Sequence, residues 1–451
     1  MEIKRYAVIG HPIGHTMSPF IHSRLFALNS LPFFYGTEDA APENLKEEIG
    51  RMRTGAFLDG CNITIPYKRA VIPLLDKLDR KAGLCGSVNT VKNENGVLTG
   101  YTTDGDGFRR TAEAAGADLT KKVTILGAGG AARAIAFEAA LRGADITLAA
   151  REHSAAAGRK LCADLMRLVP GTRASFSLIK DLKGSCELLV NATPSGMYPY
   201  TAESPAGAEI LSGAEYVFDA VYNPAETLML RTARENGAKT VSGMGMLVRQ
   251  AAAAQSIWLG CAFDESGIER ICREASFEMK KKFGNIVLCG FMGSGKTTVG
   301  RLLAQAAGRK FVDMDSYIED KEKMSVSEIF GRRGEGYFRK AETKAAGELS
   351  LQSGLVIAAG GGTVLNRVNA DILKANGITV MLDASLDAVK CRLKGDSSRP
   401  LLREGGEKAV ENLYAERRGA YAAAAELKVN ADGAPETVAR CVLKELRCGG
   451  A

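Results

Sequence analysis

Short apolar runs alternate along this chain with longer stretches whose apolar residues recur at helical spacing. Val123-Thr124-Ile125-Leu126, Asp145-Ile146-Thr147-Leu148 and Glu187-Leu188-Leu189-Val190 are strand-like, and Ala-rich segments separate them. Such alternation marks βα units wound around a parallel sheet, an α/β architecture. One series runs to about residue 275, where 251–261 and 268–275 read as helices. A second restarts at Ile286-Val287-Leu288-Cys289. The charged Glu278-Met279-Lys280-Lys281-Lys282 between them reads as a solvated linker or helix end rather than a phosphate-binding patch. The two series differ in length and loop chemistry, so fusion explains the layout better than duplication.

Composition narrows the class. With 451 residues and 46% hydrophobic content, the chain can bury several cores, and a prior of roughly 100 to 200 residues per domain suggests three. No run of about 18 apolar residues occurs, and Met1-Glu2-Ile3-Lys4-Arg5 leads into an apolar strand without a signal-peptide core. Ten cysteines stand singly, with no C-x-x-C, which points away from zinc and disulfide frameworks and towards a reducing cytoplasm. The net charge of +7 is dispersed, so small anionic substrates are expected rather than nucleic acid or a membrane. His11, His15 and His22 lie among Gly and Pro loops without paired carboxylates and read as structural or solvent-facing, not as a metal site.

Two glycine loops carry the chemistry. Gly290-Phe291-Met292-Gly293-Ser294-Gly295-Lys296-Thr297-Thr298 follows a strand and fits G-x-x-x-x-G-K-[ST]. In such a loop backbone N–H groups turn towards the phosphates of ATP, Lys296 adds a mobile positive charge, and the Thr297 hydroxyl can ligate Mg²⁺. Gly127-Ala128-Gly129-Gly130-Ala131-Ala132 also follows a strand and fits G-x-G-x-x-A, which places a dinucleotide pyrophosphate at the next helix N-terminus. At the end of the following strand an acid favours the NAD ribose and an arginine the NADP phosphate. Arg151 is followed by Glu152, so NADP is favoured and NAD stays open.

After the second loop come Phe311-Val312-Asp313-Met314-Asp315, Gly334-Glu335-Gly336-Tyr337-Phe338-Arg339, Ala359-Gly360-Gly361-Gly362-Thr363, Arg399-Pro400-Leu401-Leu402 and Glu416-Arg417-Arg418-Gly419-Ala420-Tyr421. In this order they resemble shikimate kinase over about residues 284–445. Asp313, at a strand end, then suits the Mg²⁺ shell, and Asp315 is the candidate base for the attacking hydroxyl, since this half has no histidine. Arg339 and Arg417 offer planar forks for a substrate carboxylate, and Gly361 and Gly362 let backbone amides approach the same ligand. The resemblance further implies that Arg399 sits in a lid over the phosphates.

The first half opens with Gly10-His11-Pro12-Ile13-Gly14-His15-Thr16-Met17-Ser18-Pro19 and continues through Asn62-Ile63-Thr64-Ile65-Pro66-Tyr67-Lys68, Gly86-Ser87-Val88-Asn89-Thr90, Thr103-Asp104-Gly105, Asn191-Ala192-Thr193-Pro194-Ser195-Gly196-Met197 and Gly245-Met246-Leu247-Val248-Arg249-Gln250. Over about residues 3–272 it resembles shikimate dehydrogenase. That family's usual Asn-Arg-Thr stands here as Ala150-Arg151-Glu152, and Thr102 stands where it usually has Asn. The resemblance implies Lys68 and Asp104 as the catalytic pair, a lysine held by a carboxylate supplying the proton for the developing alkoxide. Thr16, Ser18, Thr64, Asn89, Tyr222 and Gln250 would form the polar shell, and Thr193 and Met197 would join the cofactor side.

The expected division is a substrate-binding domain over 1–108 with 237–275, a Rossmann domain over 109–236, a linker over 276–284 and a P-loop α/β kinase domain over 285–451. The expected function is bifunctional: NADPH-dependent reduction of 3-dehydroshikimate to shikimate, then Mg·ATP-dependent phosphorylation to shikimate 3-phosphate. Two alternatives stay open: a kinase with a silent ligand-binding first half, and an NAD-dependent quinate/shikimate dehydrogenase in the first half. A homodimer is also left open.

Overall fold

The computed structural model describes residues 3–14, 16–54, 57–394 and 400–448, without the side chains of 400–406 and 448. It divides into two units, residues 1–222 with 226–276, and residues 223–225 with 277–451.

The first unit holds two six-stranded sheets. Strands β1 (Arg5–Gly10), β2 (Phe34–Asp39), β3 (Gly60–Ile63), β4 (Lys77–Leu78), β5 (Thr90–Glu94) and β6 (Val97–Tyr101) lie in the order β2-β1-β3-β5-β6-β4. The sheet is mixed, because β5 runs antiparallel to both β3 and β6. Asn95 and Gly96 make the β5–β6 turn, both at positive φ, as the tight turns that match strand twist require.

The second sheet is wholly parallel, with β7 (Lys122–Leu126), β8 (Asp145–Ala150), β9 (Arg173–Leu178), β10 (Cys186–Asn191), β11 (Ala214–Asp219) and β12 (Lys239–Ser242) in the order β12-β11-β10-β7-β8-β9. This is the doubly wound arrangement, in which ligands bind beyond the carboxyl ends of the strands where the order reverses. That point falls between β7 and β10, and the glycine loop of 127–132 leaves β7 there. The sheet extends to Ser242, so the boundary expected at 236 lies too early; the chain returns to the first layer with helix Met244–Leu259.

That helix crosses helix Asp104–Ala114 closely. A Cβ at Gly107 would lie 2.6 Å from the Met246 carbonyl oxygen and 2.9 Å from the Gln250 nitrogen, so only glycine permits this approach. The crossing carries Gln250 to the start of the Asp104 helix.

The second unit is built on one parallel sheet, β13 (Asn285–Cys289), β14 (Lys310–Asp313), β15 (Leu355–Ala358), β16 (Gly377–Asp383) and β17 (Leu427–Asn430), in the order β14-β15-β13-β16-β17. The central strands β13 and β15 are buried throughout, as expected of a parallel sheet covered on both faces. Residues 276–283, expected to be linker, belong to helix Glu265–Phe283. The charge run does not melt it, because Lys281 folds back onto Glu278 at 2.7 Å, one helical turn away, and is itself buried. Among the described residues no helix is long and apolar enough to cross a membrane.

Two candidate active sites

In the first unit, the segment after β3 is tied to the segment before β5 by Val88 N, which donates to Lys68 O at 2.8 Å, and to β1 by Thr64 N, which donates to Ile9 O at 3.0 Å. Lys68 is thereby aimed at the first turn of the Asp104 helix, and its Nζ lies 2.5 Å from Asp104 Oδ2. The side chains are 23% and 10% exposed, so the pair is largely dry yet reachable. Asn89 fixes the other carboxylate oxygen. Its Nδ2 donates to Asp104 Oδ1 at 2.9 Å and to Gln250 Oε1 at 3.1 Å, while its Oδ1 accepts from Thr103 N at 2.7 Å. Four expected residues, Lys68, Asp104, Asn89 and Gln250, therefore form one network.

Thr16 and Ser18 form a second pair, with Thr16 Oγ1 donating to Ser18 Oγ and accepting from Ser18 N, both at 3.1 Å. Tyr35 and Asn62 lead from this pair towards the first network: Ser18 bonds the Tyr35 phenol, Tyr35 Oη donates to Asn62 Oδ1 at 2.6 Å, and Asn62 Nδ2 donates to Asn89 O at 3.0 Å. Thr64 and Tyr222 are half-buried, and burial raises the Tyr222 phenol; among the described residues neither side chain hydrogen-bonds to this set. The Thr102 hydroxyl is buried with no hydrogen-bond partner among the described residues. Of the three early histidines, His11 pairs with Asp39 and His22 stacks on Tyr35 in the interior, while His15 lies outside the described residues.

The dinucleotide loop opens helix Gly130–Leu141. Gly127 has φ +114°, and a Cβ there would meet Thr193 Cγ2 at 3.0 Å, whereas Gly129 and Gly130 face open space. Ala131 follows them, half-buried, in the first turn. Thr193 is held opposite by Asn191, whose Oδ1 accepts from Thr193 N at 2.9 Å and from its hydroxyl at 2.7 Å. Met197 follows, 45% exposed. This open, amide-lined cradle fits a pyrophosphate. Arg151 and Glu152 leave the end of β8 exposed, and Glu152 Oε1 is paired with Lys180 Nζ at 2.5 Å.

In the second unit, Gly293 and Gly295 hold positive φ between β13 and helix Lys296–Ala307. Ser294 is buried, while Thr297 and Thr298 are exposed at the helix start. Lys296 Nζ donates to the carbonyls of Gly290 at 2.9 Å and Phe291 at 3.2 Å, across the loop it closes. Thr297 Oγ1 donates to Asp313 Oδ2 at 2.7 Å, and Asp313 Oδ1 accepts from Asp315 N at 3.1 Å. A hydroxyl and a carboxylate side by side are hard oxygen donors, which fits Mg²⁺. Burial first, then the charges of Asp313 and Glu342, push the Asp315 carboxyl up to about 6, the behaviour of a carboxylate tuned towards base duty.

Arg339 lies over the glycine run of 360–362; a side chain at Gly362 would run into its guanidinium. Glu342, fully buried, accepts from Arg339 Nη1 at 2.6 Å and from Thr363 Oγ1 at 2.7 Å. Gly361 O accepts from the Tyr421 hydroxyl, and Arg417 bonds the same phenol. Arg339, Gly361, Gly362 and Arg417 thus gather around one wall. Arg399 lies outside the described residues. Lys180, Glu342 and Tyr421 carried no role in the sequence reading. The i,i+3 spacing of Arg339 and Glu342 on one helix could have revealed that pair, whereas nothing local links Lys180 to Glu152.

Comparison with known proteins finds a family for each of the two halves. The family described as shikimate dehydrogenase substrate binding domain matches residues 8–91, and that described as shikimate kinase matches residues 292–447. The NADP(+) shikimate dehydrogenase of Moorella thermoacetica is 38% identical over 274 residues, 60% of this chain and 92% of that protein. That of Methanocaldococcus jannaschii is 41% identical over 263 residues, covering 57% and 92%. The crystal structure of shikimate 5-dehydrogenase from Thermus thermophilus in complex with NADP(H) and shikimate matches with a TM-score of 0.55 and 34% identity, over 60% of this chain and all of that one.

Proposed function

Because the chain belongs to the shikimate dehydrogenase family and also carries a shikimate kinase domain, we propose that this bifunctional shikimate-pathway enzyme catalyses two consecutive steps. 3-Dehydroshikimate is reduced to shikimate with NADPH, and shikimate is phosphorylated to shikimate 3-phosphate with Mg·ATP. The mixed sheet serves the substrate, the doubly wound sheet the dinucleotide and the second unit the phosphoryl transfer.

The observation that carries the reading is the 2.5 Å contact between Lys68 and Asp104, held by Asn89 and Gln250. NADPH, when bound, supplies the hydride to the carbonyl carbon, and Mg·ATP supplies the phosphoryl group. Lys68 gives its proton to the oxygen on which negative charge develops, and Asp104 keeps the ammonium oriented. Thr16 and Ser18 present hydroxyls to the substrate carboxylate. In the second unit Thr297 and Asp313 would hold the metal, Asp315 takes the proton of the attacking hydroxyl, and Arg339 and Arg417 clamp the carboxylate.

The intact Lys68–Asp104 pair argues against a silent first half. Initial rates with NADP⁺ and NAD⁺ on shikimate and quinate, together with ADP release from ATP and shikimate, test both steps. Oxidation of shikimate with NADP⁺ and ADP release dependent on shikimate are expected; faster turnover of quinate with NAD⁺ would replace the first assignment.

A further inference from the structure

The pair Arg151-Glu152 leaves the second strand of a doubly wound sheet, where an acid bonds a ribose 2′-hydroxyl and an arginine a 2′-phosphate. The structure separates the two residues. Glu152 is taken, since Lys180 Nζ lies 2.5 Å from its Oε1. The Arg151 side chain is exposed and pairs with no carboxylate among the described residues.

Lys180 reaches this place through sheet register. β8 and β9 run parallel with Ala150 opposite Leu178, so Arg151 and Ile179 leave the sheet side by side and Lys180 follows one residue later. Both lie at the carboxyl edge where the glycine loop begins, Gly127 N being bonded to Ala149 O at 2.8 Å. Lys180 and Glu152 are 64% and 73% exposed. A pair so open to water contributes little to stability, and its ammonium can turn to a stronger anion without disturbing the fold.

We propose that Lys180 is a specificity-determining residue for the dinucleotide: with Arg151 it binds the 2′-phosphate of NADP, and by neutralising Glu152 it removes the repulsion that this carboxylate would exert. Without Lys180 the charges of Arg151 and Glu152 cancel; with it these three side chains sum to one positive charge facing a dianionic ester. Glu152 then serves as the tether that keeps the ammonium at the site rather than as a partner of the ribose.

The inference rests on the NADP reading above, and its test reads binding rather than turnover. Calorimetric titration of the full chain with NADP⁺, 2′,5′-ADP and NAD⁺ is made for the wild type, Lys180→Ala, Lys180→Arg and Lys180→Ala/Glu152→Gln. Lys180→Ala should weaken NADP⁺ and 2′,5′-ADP about tenfold, the loss of one charge-assisted contact, and leave NAD⁺ within about twofold. Lys180→Arg should restore NADP⁺ binding, and Glu152→Gln in the Lys180→Ala background should recover part of it. A wild type that prefers NADP⁺ together with a Lys180→Ala variant equal to it would overturn this inference alone. A wild type that binds NAD⁺ more tightly than NADP⁺ would overturn the NADP reading as well.

Discussion

Asn89 donates to Gln250 Oε1 at 3.1 Å although 161 positions separate them in the chain. The same carboxamide nitrogen reaches Asp104 Oδ1 at 2.9 Å, so a single side chain joins the first and last segments of the dehydrogenase unit at the catalytic pair. Asn89→Ala should lower kcat for NADPH oxidation by about 100-fold, the scale of losing orientation at a reacting centre, while the circular dichroism spectrum stays that of the wild type. A kcat within a factor of about two of wild type would remove Asn89 from the positioning role.

Lys68→Ala should abolish the reduction, by at least about 10²- to 10⁴-fold for loss of a general acid, and leave ADP release unchanged, because each unit has its own nucleotide loop. Parallel assays of both reactions on one folded preparation check this, and loss of both activities would contradict the separation.

Asp315→Asn is the converse. The amide cannot take the hydroxyl proton, so phosphoryl transfer should fall by about 10²- to 10⁴-fold, while NADPH oxidation keeps its wild-type rate. Retained kinase turnover in this variant would move the base elsewhere.

His22 links pH to stability in the first unit. It is fully buried, stacked on Tyr35 with ring centroids 3.9 Å apart, and its Nδ1 meets Gln255 Nε2 at 3.1 Å. Burial lowers its pKa from 6.5 to about 3. Between those values the unfolded chain binds a proton that the folded chain refuses, so stability present above pH 6.5 is lost as the pH falls, with a slope approaching about 1.4 kcal/mol per pH unit from this residue. Urea titrations that follow unfolding of the first unit at neutral pH and in mild acid should show a pH slope in the wild type that is smaller by about this amount in His22→Phe. The substitution keeps a stacking ring and removes the titration. An unchanged slope would mean that His22 titrates normally in the folded state.

The strands and both glycine loops were legible because each is carried by a short contiguous pattern, and the motifs around Lys68 and Asp104 named the two residues that the structure brings into contact. Val123-Thr124-Ile125-Leu126 is buried throughout and rich in β-branched residues, and the glycines follow it directly. The boundary at 236 failed because β12 buries only one of its four residues and shows no apolar run. The charge run of 278–282 read as a linker because charge density was weighed and the i,i+3 pairing of Lys281 with Glu278 was not. Contacts such as Asn89 with Gln250 and Lys180 with Glu152 are set by a helix crossing and by sheet register, relationships between distant segments that no local pattern encodes.

The central claim, that one chain performs two consecutive steps, is tested most directly by incubating the intact protein with 3-dehydroshikimate, NADPH and Mg·ATP and measuring NADPH oxidation and ADP release together. One ADP should appear for each NADPH oxidised, after a lag while shikimate accumulates; Lys68→Ala should suppress both signals, and added shikimate should restore ADP release alone. ADP release from added shikimate with no NADPH oxidation from 3-dehydroshikimate would contradict the account.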